Sequence, residues 1–157
     1  MFKFFILLSV CTSFVLASSI DKLSFYKAFQ SDKKATMESK ISALNKYSAS
    51  NQKDAYLGAL TMKKSQFEKT PKEKAQVFKI GKALLEKAIT KAPKRVEYRF
   101  LRLAIQENTP KILKYNTKIK EDREMIHSSY KTLDITVKRV VKKYAESSKN
   151  LNSHLLN

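Results

Sequence analysis

Apolar residues recur at helical spacing along almost the whole chain after residue 20, a pattern that predicts a bundle of packed helices. The strongest stripe lies between residues 70 and 92, with lysines filling much of the opposite face. Thr70 and Glu73 have the spacing of a capping box, and Pro71 suits the first helical position. The apolar positions of the stripe are Val77, Phe78, Leu84, Leu85, Ala88, Ile89 and Ala92.

A second strong helix is predicted at Val96–Glu107, and a short turn at Pro93 would fold it back on the first to make a central hairpin. Because this helix is apolar on much of its circumference, we expect it to be buried on more than one side and to form the centre of the domain. Its apolar positions are Val96, Tyr98, Phe100, Leu101, Leu103, Ala104 and Ile105.

Weaker stripes predict three helices before this hairpin. The first is expected at Ile20–Phe29, and the second runs to residue 47 from a cap at Ser31 or Asp32. The third is expected at Gln52–Phe67, with Asn51 as its cap.

Beyond the hairpin, Thr109 and Pro110 have the pattern of a cap and a first helical residue. A stripe follows at Ile112–Leu133 with a break at Asn116-Thr117, and Asp134 is expected to cap a last helix. The chain has only two glycines and three prolines, so few residues interrupt helices. We therefore predict an all-α fold of about seven helices packed as helical hairpins, with one domain at 18–147 and a frayed tail at 148–157.

Gly81 interrupts a strong helix former, at a cost of about 1 kcal/mol relative to alanine. We interpret it as a point of close approach between two helices, because small residues recur on the same face at Ala88 and Ala92. The alternative is a neutral replacement by a small residue.

The spacing of Gly81, Leu85, Ala88 and Pro93 resembles the second helix of a tetratricopeptide repeat. Leu57-Gly58 resembles the Leu-Gly pair of the first helix in that family, although the connection to Gly81 is longer than in a standard repeat by about ten residues.

The resemblance covers about one and a half degenerate units, at residues 55–107. The segment YRFLRLAIQEN is also similar to small secreted bacterial proteins of unknown function, a similarity that supplies no activity. The repeat resemblance implies stacked helical hairpins with a concave face that binds a protein or peptide.

Residues 1–17 have the pattern of a secretory signal peptide, with Lys3 before the apolar run Phe4–Leu16 and a cleavage site before Ser18. We therefore expect a periplasmic or secreted protein. The alternatives are an uncleaved membrane anchor and a lipoprotein modified at Cys11. Because Cys11 is the only cysteine, the mature chain would have no disulfide, thiol nucleophile or thiolate metal site.

The chain is strongly basic, with 32 Lys and Arg against 14 Asp and Glu and a net charge of +18. The basic residues are spread along every helix, as expected for solvated helix faces. One local cluster, Lys138, Arg139, Lys142 and Lys143, shares a side of the last helix and is a candidate contact for anionic lipid or polysaccharide. Nucleic acid is not an expected partner.

Arg99, Arg102 and Gln106 share one face of the central helix and are candidates for binding a peptide carboxylate. The alternative is that an arginine pairs internally with a carboxylate such as Glu107, Asp122 or Glu124.

No catalytic motif is visible, and we expect neither a cofactor nor a metal site, because the two histidines, His127 and His154, have no second imidazole at ligand spacing. We predict a non-catalytic binding or scaffold domain that recognises a protein or peptide in the cell envelope. A polyanion or membrane-surface binder is the alternative. An enzyme would require a pocket around Glu107 or Glu124 with a carboxyl group of perturbed pKa.

Overall fold

The computed structural model describes residues 19–156, and this part of the chain is all-α, with seven α-helices and no strand. The predicted signal peptide lies outside the described residues. The helices are α1 (Lys22–Gln30), α2 (Lys34–Asn45), α3 (Asn51–Lys64), α4 (Pro71–Lys91), α5 (Val96–Asn108), α6 (Ile119–Ser129) and α7 (Ile135–Ala145). Short 3-10 turns lie at Ser65–Phe67, Lys111–Leu113, Tyr130–Thr132 and Ser153–Leu155.

The predicted start of α4 is confirmed. The Thr70 hydroxyl accepts a hydrogen bond from the backbone N–H of Glu73 at 3.2 Å, and the Glu73 carboxylate accepts one from the N–H of Thr70 at 2.9 Å. Pro71 is the first helical residue. Asp134 caps α7 as predicted, accepting from the N–H of Val137 at 3.1 Å.

Two other predicted caps are wrong. Ser50, not Asn51, caps α3, because its hydroxyl accepts from the N–H of Lys53 at 3.1 Å. At the start of α2 the cap is Lys33, without a side-chain hydrogen bond. The hydroxyl of Ser31 instead accepts from the N–H of Lys33 at 3.1 Å, so this serine stabilises a local turn before the helix.

The predicted helix start at Thr109 and Pro110 is also wrong. Thr109 ends α5, and its hydroxyl donates to the carbonyl of Ile105 at 2.7 Å. Only a 3-10 turn follows, closed by Lys114 in the left-handed region with φ 47°, and α6 begins at Ile119. Ile112 has 86% of its surface exposed, so packing of its side chain contributes little to stabilising a helix here.

Helices α3 and α4 form an antiparallel pair in which Gly58 and Gly81 face each other. A Cβ atom built on Gly81 would lie 2.6 Å from the carbonyl oxygen of Gly58 and 2.7 Å from the backbone nitrogen of Met62. Only glycine fits such a contact with backbone, which confirms that Gly81 marks a close approach of two helices. The partner is α3: α4 packs most closely on the helix before it rather than on α5, contrary to the predicted central hairpin.

Helix α5 is the centre of the domain, as predicted. Every residue from Val96 to Gln106 is buried, including the polar residues Glu97, Arg99 and Arg102. The helix contacts α3, α4 and α6, so it has no solvent face along most of its length. None of the described helices is both long and apolar enough to cross a membrane.

Candidate functional site

A groove of about 480 Å³ opens at one end of the bundle, where α1 and α3 end and α4 begins. The C-terminal end of α5 and the turn after it form the other wall. The apolar lining comes from Phe29, Met62, Phe78, Ala104, Ile105, Pro110, Leu113 and Tyr144. A concave surface of this size with an apolar floor is typical of a site for a small ligand or for one or two anchor side chains of a partner.

The rim of the groove is polar and carries two lysines. Lys63 donates to the carbonyl of Phe29 at 2.7 Å, and its Nζ lies 3.6 Å from a carboxylate oxygen of Asp32. Burial lowers the pKa of Lys63, and the nearby Asp32 only partly opposes this shift. Lys74 lines the same groove with an exposed side chain.

The predicted binding residues Arg99, Arg102 and Gln106 lie on another face of α5, which is buried against α6. Arg102 donates from Nε and Nη2 to the two carboxylate oxygens of Asp122, at 2.7 Å each. Gln106 donates to Asp122 at 3.0 Å, and Arg99 donates to Asp122 at 3.4 Å and to Glu121 at 2.6 Å. These side chains form the Asp122 network.

The Asp122 network extends to a carboxylate that the sequence did not suggest. Arg102 also donates to Glu86 of α4 at 2.8 Å, and the Tyr115 hydroxyl donates to the same carboxylate at 2.5 Å. Burial alone would lower the pKa of Arg102, but the hydrogen bonds and charges of Asp122 and Glu86 outweigh it and raise that pKa. Burial raises the pKa of Asp122, and Arg102 opposes that shift.

The structure therefore shows internal pairing of both arginines, the alternative interpretation of this face. Asp122 is the partner anticipated from the sequence, whereas Glu107 and Glu124 pair elsewhere. Arg99 is 8% exposed and Arg102 is 3% exposed. Their guanidinium groups already form hydrogen bonds with carboxylates of the protein itself. That they bind a peptide stays a prediction, which these contacts do not support.

A second buried network, which the sequence analysis missed, is centred on Glu97 in the first turn of α5. Its carboxylate accepts from the hydroxyls of Tyr56 at 2.5 Å and Tyr26 at 3.2 Å, and from Lys22 at 3.0 Å. Lys22 also pairs with Asp134, the cap of α7. An acid inside the most apolar run of the chain was the available signal, because a buried carboxylate must find donors.

Glu107, the residue on which an enzymatic site was considered, holds the segment after α7. Its carboxylate accepts from the hydroxyl of Tyr144, from Ser148 at 2.8 Å and from the amide of Asn150 at 2.6 Å. In the segment where we predicted a frayed tail, Leu151 and Leu156 are buried.

The predicted basic cluster lies on α7 as expected from its spacing. Arg139, Lys142 and Lys143 are exposed and Lys138 is half-buried, while Val137 and Val141 on the opposite side are in the core. Among the described residues, no carboxylate forms an ion pair with these four side chains. Their charge is therefore available to an anionic surface.

Two further features bear on chemistry. Over residues 19–156, no three His, Cys, Asp or Glu side chains lie close enough to share a metal ion, and Nδ1 of His127 is buried without a hydrogen-bond partner. A second depression, of about 560 Å³, lies between α1 and α2, where small polar side chains and alanines line it together with Lys27 and Lys40. It lacks the apolar floor of the first groove.

Comparison of the chain with protein-family models, with characterised proteins and with solved structures gave no significant match. The tetratricopeptide resemblance therefore stays a prediction, and the site must be interpreted from its own geometry.

Proposed function

We propose that this protein is an exported, non-catalytic binding domain that recognises a protein or peptide in the cell envelope. One observation carries the proposal: the groove of about 480 Å³ combines an apolar floor with a charged rim. Apolar anchor side chains seated in such a groove supply most of the binding energy in protein recognition.

The groove suits this role better than the arginine face. At 3.6 residues per turn, Ala104 and Asn108 of the groove lie on the side of α5 away from Arg99 and Arg102, and Ile105 lies between the two faces. The arginine face is closed by α6, so a ligand could reach it only by displacing Asp122, which is 0% exposed. The groove is open without any rearrangement.

The fold and the export are part of the same proposal. The antiparallel α3–α4 pair, with Gly58 and Gly81 in contact, supports a degenerate tetratricopeptide-like hairpin. The pattern of residues 1–17 supports export by a signal peptide, and N-terminal sequencing of the protein recovered from its producing cell should begin at Ser18.

Capture of partners from an envelope extract tests the binding role. The purified protein should retain a discrete protein partner at both low and high salt, because burial of apolar anchors resists screening. Leu113→Ser, which removes half-buried apolar lining, should lose that partner. The matched control is Ile112→Ser in the same turn, whose side chain is 86% exposed and lies outside the groove. Equal binding by both variants would refute the groove.

A second candidate is binding to anionic lipid or polysaccharide, favoured by the unpaired basic cluster on α7. Such binding should fall steeply with salt, because each engaged cation releases a counterion. Replacing Lys142 and Lys143 by Gln should reduce the slope of log affinity against log salt, whereas Leu113→Ser should leave it unchanged.

A further inference from the structure

The floor and the rim of the groove differ in polarity and charge, and, if the proposed function is correct, this difference restricts the chemistry of the ligand. Its floor is apolar, and the cationic groups at its rim are Lys63, at the end of α3, and Lys74, near the start of α4. From this geometry we infer that the ligand segment carries an acidic side chain beside its apolar anchor, and that Lys63 binds the acid.

Lys63 is positioned for this role by its contact with the end of α1. Its side chain is only 22% exposed, and its hydrogen bond to the carbonyl of Phe29 holds the ammonium at the groove wall. That carbonyl belongs to the last turn of α1, where backbone acceptors lack helical partners, so Lys63 also has a structural role there. A partly desolvated ammonium binds a carboxylate more strongly than one in open water.

The acid now beside Lys63 is easily displaced. Asp32 is the only carboxylate in the described lining of the groove, and its side chain is 93% exposed. Its oxygen lies 3.6 Å from Nζ, which is too long for a hydrogen bond. An exposed pair of this kind contributes little, so a ligand carboxylate at hydrogen-bond distance would replace it.

Lys74, near the start of α4, adds a second positive charge at the rim. Within residues 19–156, its ammonium forms no ion pair and no side-chain hydrogen bond. With Asp32 displaced towards solvent, both rim cations favour an anion over a neutral or basic group, and the net charge of +18 strengthens the preference.

A pair of fluorescent probes that differ in one charged group tests the inference directly. The anionic probe is 1-anilinonaphthalene-8-sulfonate, and the neutral probe is N-phenyl-1-naphthylamine, which has the same rings without the sulfonate. We expect the purified protein to bind the anionic probe more tightly. Lys63→Met should weaken the anionic probe about tenfold, as expected for loss of one charge-assisted hydrogen bond, and leave the neutral probe within about twofold.

Two variants control this experiment. Asp32→Asn should tighten the anionic probe by about two- to threefold, because a competing carboxylate is removed from a site too exposed to affect folding. Lys91→Met removes the same charge from the far end of α4 and should change neither probe. A thermal melt of Lys63→Met measures how much stability is lost with its contact to Phe29. The effect of the charge is measured separately, by the ratio of the affinities for the anionic and the neutral probe.

Three results would overturn the inference. They are equal affinity for both probes in the wild type, equal loss with Lys91→Met and Lys63→Met, and no change with Lys63→Met in a folded protein. The partner capture with Leu113→Ser is independent of these readings. A groove that keeps its partner and ignores the sulfonate would leave the proposed function standing without the acidic requirement.

Discussion

Two carboxylates are buried among residues 19–156, and each accepts hydrogen bonds from a different kind of donor. Asp122 accepts from two arginines and an amide, so a charged cluster joins α5 to α6. Glu97 accepts from two tyrosine hydroxyls and one lysine, which join α1 and α3 to α5. The first network is ionic on both sides, whereas the second is mostly neutral.

The difference lies in what remains when the acid is removed. Without Asp122, two guanidinium groups stay buried, and these cannot lose their charge. Without Glu97, the groups left are neutral hydroxyls and Lys22, whose side chain is 24% exposed and keeps its contact with Asp134. Removing the central carboxylate should therefore lower the free energy of unfolding more in the Asp122 network than in the Glu97 network, although both networks are centred on a buried carboxylate.

The largest expected effect comes from Asp122→Asn. The amide keeps the shape of the side chain but offers Arg102 one acceptor instead of two and no charge. We expect the free energy of unfolding to fall by about 3 kcal/mol, the lower end of the usual cost of removing one partner of a buried ion pair, because Glu86 and Glu121 still pair with Arg102 and Arg99. Urea denaturation measures it, with the exposed Glu124→Gln as control. A loss below 1 kcal/mol would show that water reaches the arginines.

Glu97→Gln should cost less. One oxygen still accepts from a tyrosine hydroxyl, and Lys22 can turn towards Asp134 and solvent. We expect a loss of about 1–2 kcal/mol in the same denaturation experiment, typical of a weakened buried hydrogen bond. If Glu97→Gln proved as damaging as Asp122→Asn, donor charge would not explain the difference between the networks.

Alkaline pH should weaken both networks, and the Glu97 network more. Burial first, and then the carboxylates that accept their hydroxyls, raise the pKa of Tyr26 and Tyr56 beside Glu97 and of Tyr115 beside Glu86. A raised folded-state pKa gives stability that is complete below the unfolded value of 10.0 and is lost as pH rises above it.

Above pH 10.0, each tyrosine that is held neutral should therefore lower the free energy of unfolding by up to about 1.4 kcal/mol per pH unit. Phenolate absorbance and circular dichroism should change together during alkaline unfolding. Tyr56→Phe should make the pH dependence shallower by one group, while the exposed-residue control Ile80→Ser should not alter it. Phenolate formation before any loss of helix would contradict this account.

The smallest effect is expected at the edge of the Asp122 network. A hydrogen bond from Lys118, together with Arg99, lowers the pKa of Glu121, whose side chain is 45% exposed. This stability is present above the unfolded pKa and is lost as pH falls through the lower folded value. Glu121→Gln should cost under about 1 kcal/mol at neutral pH. A larger cost would place Glu121 among the essential members of the network.

Local signals in the sequence predicted the helices well, whereas contacts between residues distant in the sequence were predicted less well. The capping box at Thr70, the close approach at Gly81 and the burial of α5 each depend on residues within a few turns, or on one unusual small residue. The helix start at Thr109 was wrongly predicted because Ile112, which is 86% exposed, does not share the burial of the later apolar positions Tyr115 and Ile126.

The candidate site was less predictable for the same reason. Glu86 and Glu121 join the arginines from different helices, and no spacing in the chain indicates which acid reaches which base. The groove collects side chains from five helices and two 3-10 turns, and its existence depends on where α1 and α3 end relative to α5. Arg99 and Arg102 were correctly identified as unusual polar residues, but their spacing could not show that α6 covers them.

The Asp122 network joins the helices of the domain, and we propose that the groove, not this network, binds the partner. The most direct test is the double variant Arg102→Met/Asp122→Leu, in which apolar side chains replace the ion pair that is joined by two hydrogen bonds. Such replacements are often neutral or stabilising, so it should recover most of the stability lost by Asp122→Leu alone. We predict that this folded variant keeps the salt-resistant partner in the capture experiment. A double variant as stable as the wild type that no longer holds its partner would contradict the account and make Arg102 a binding residue.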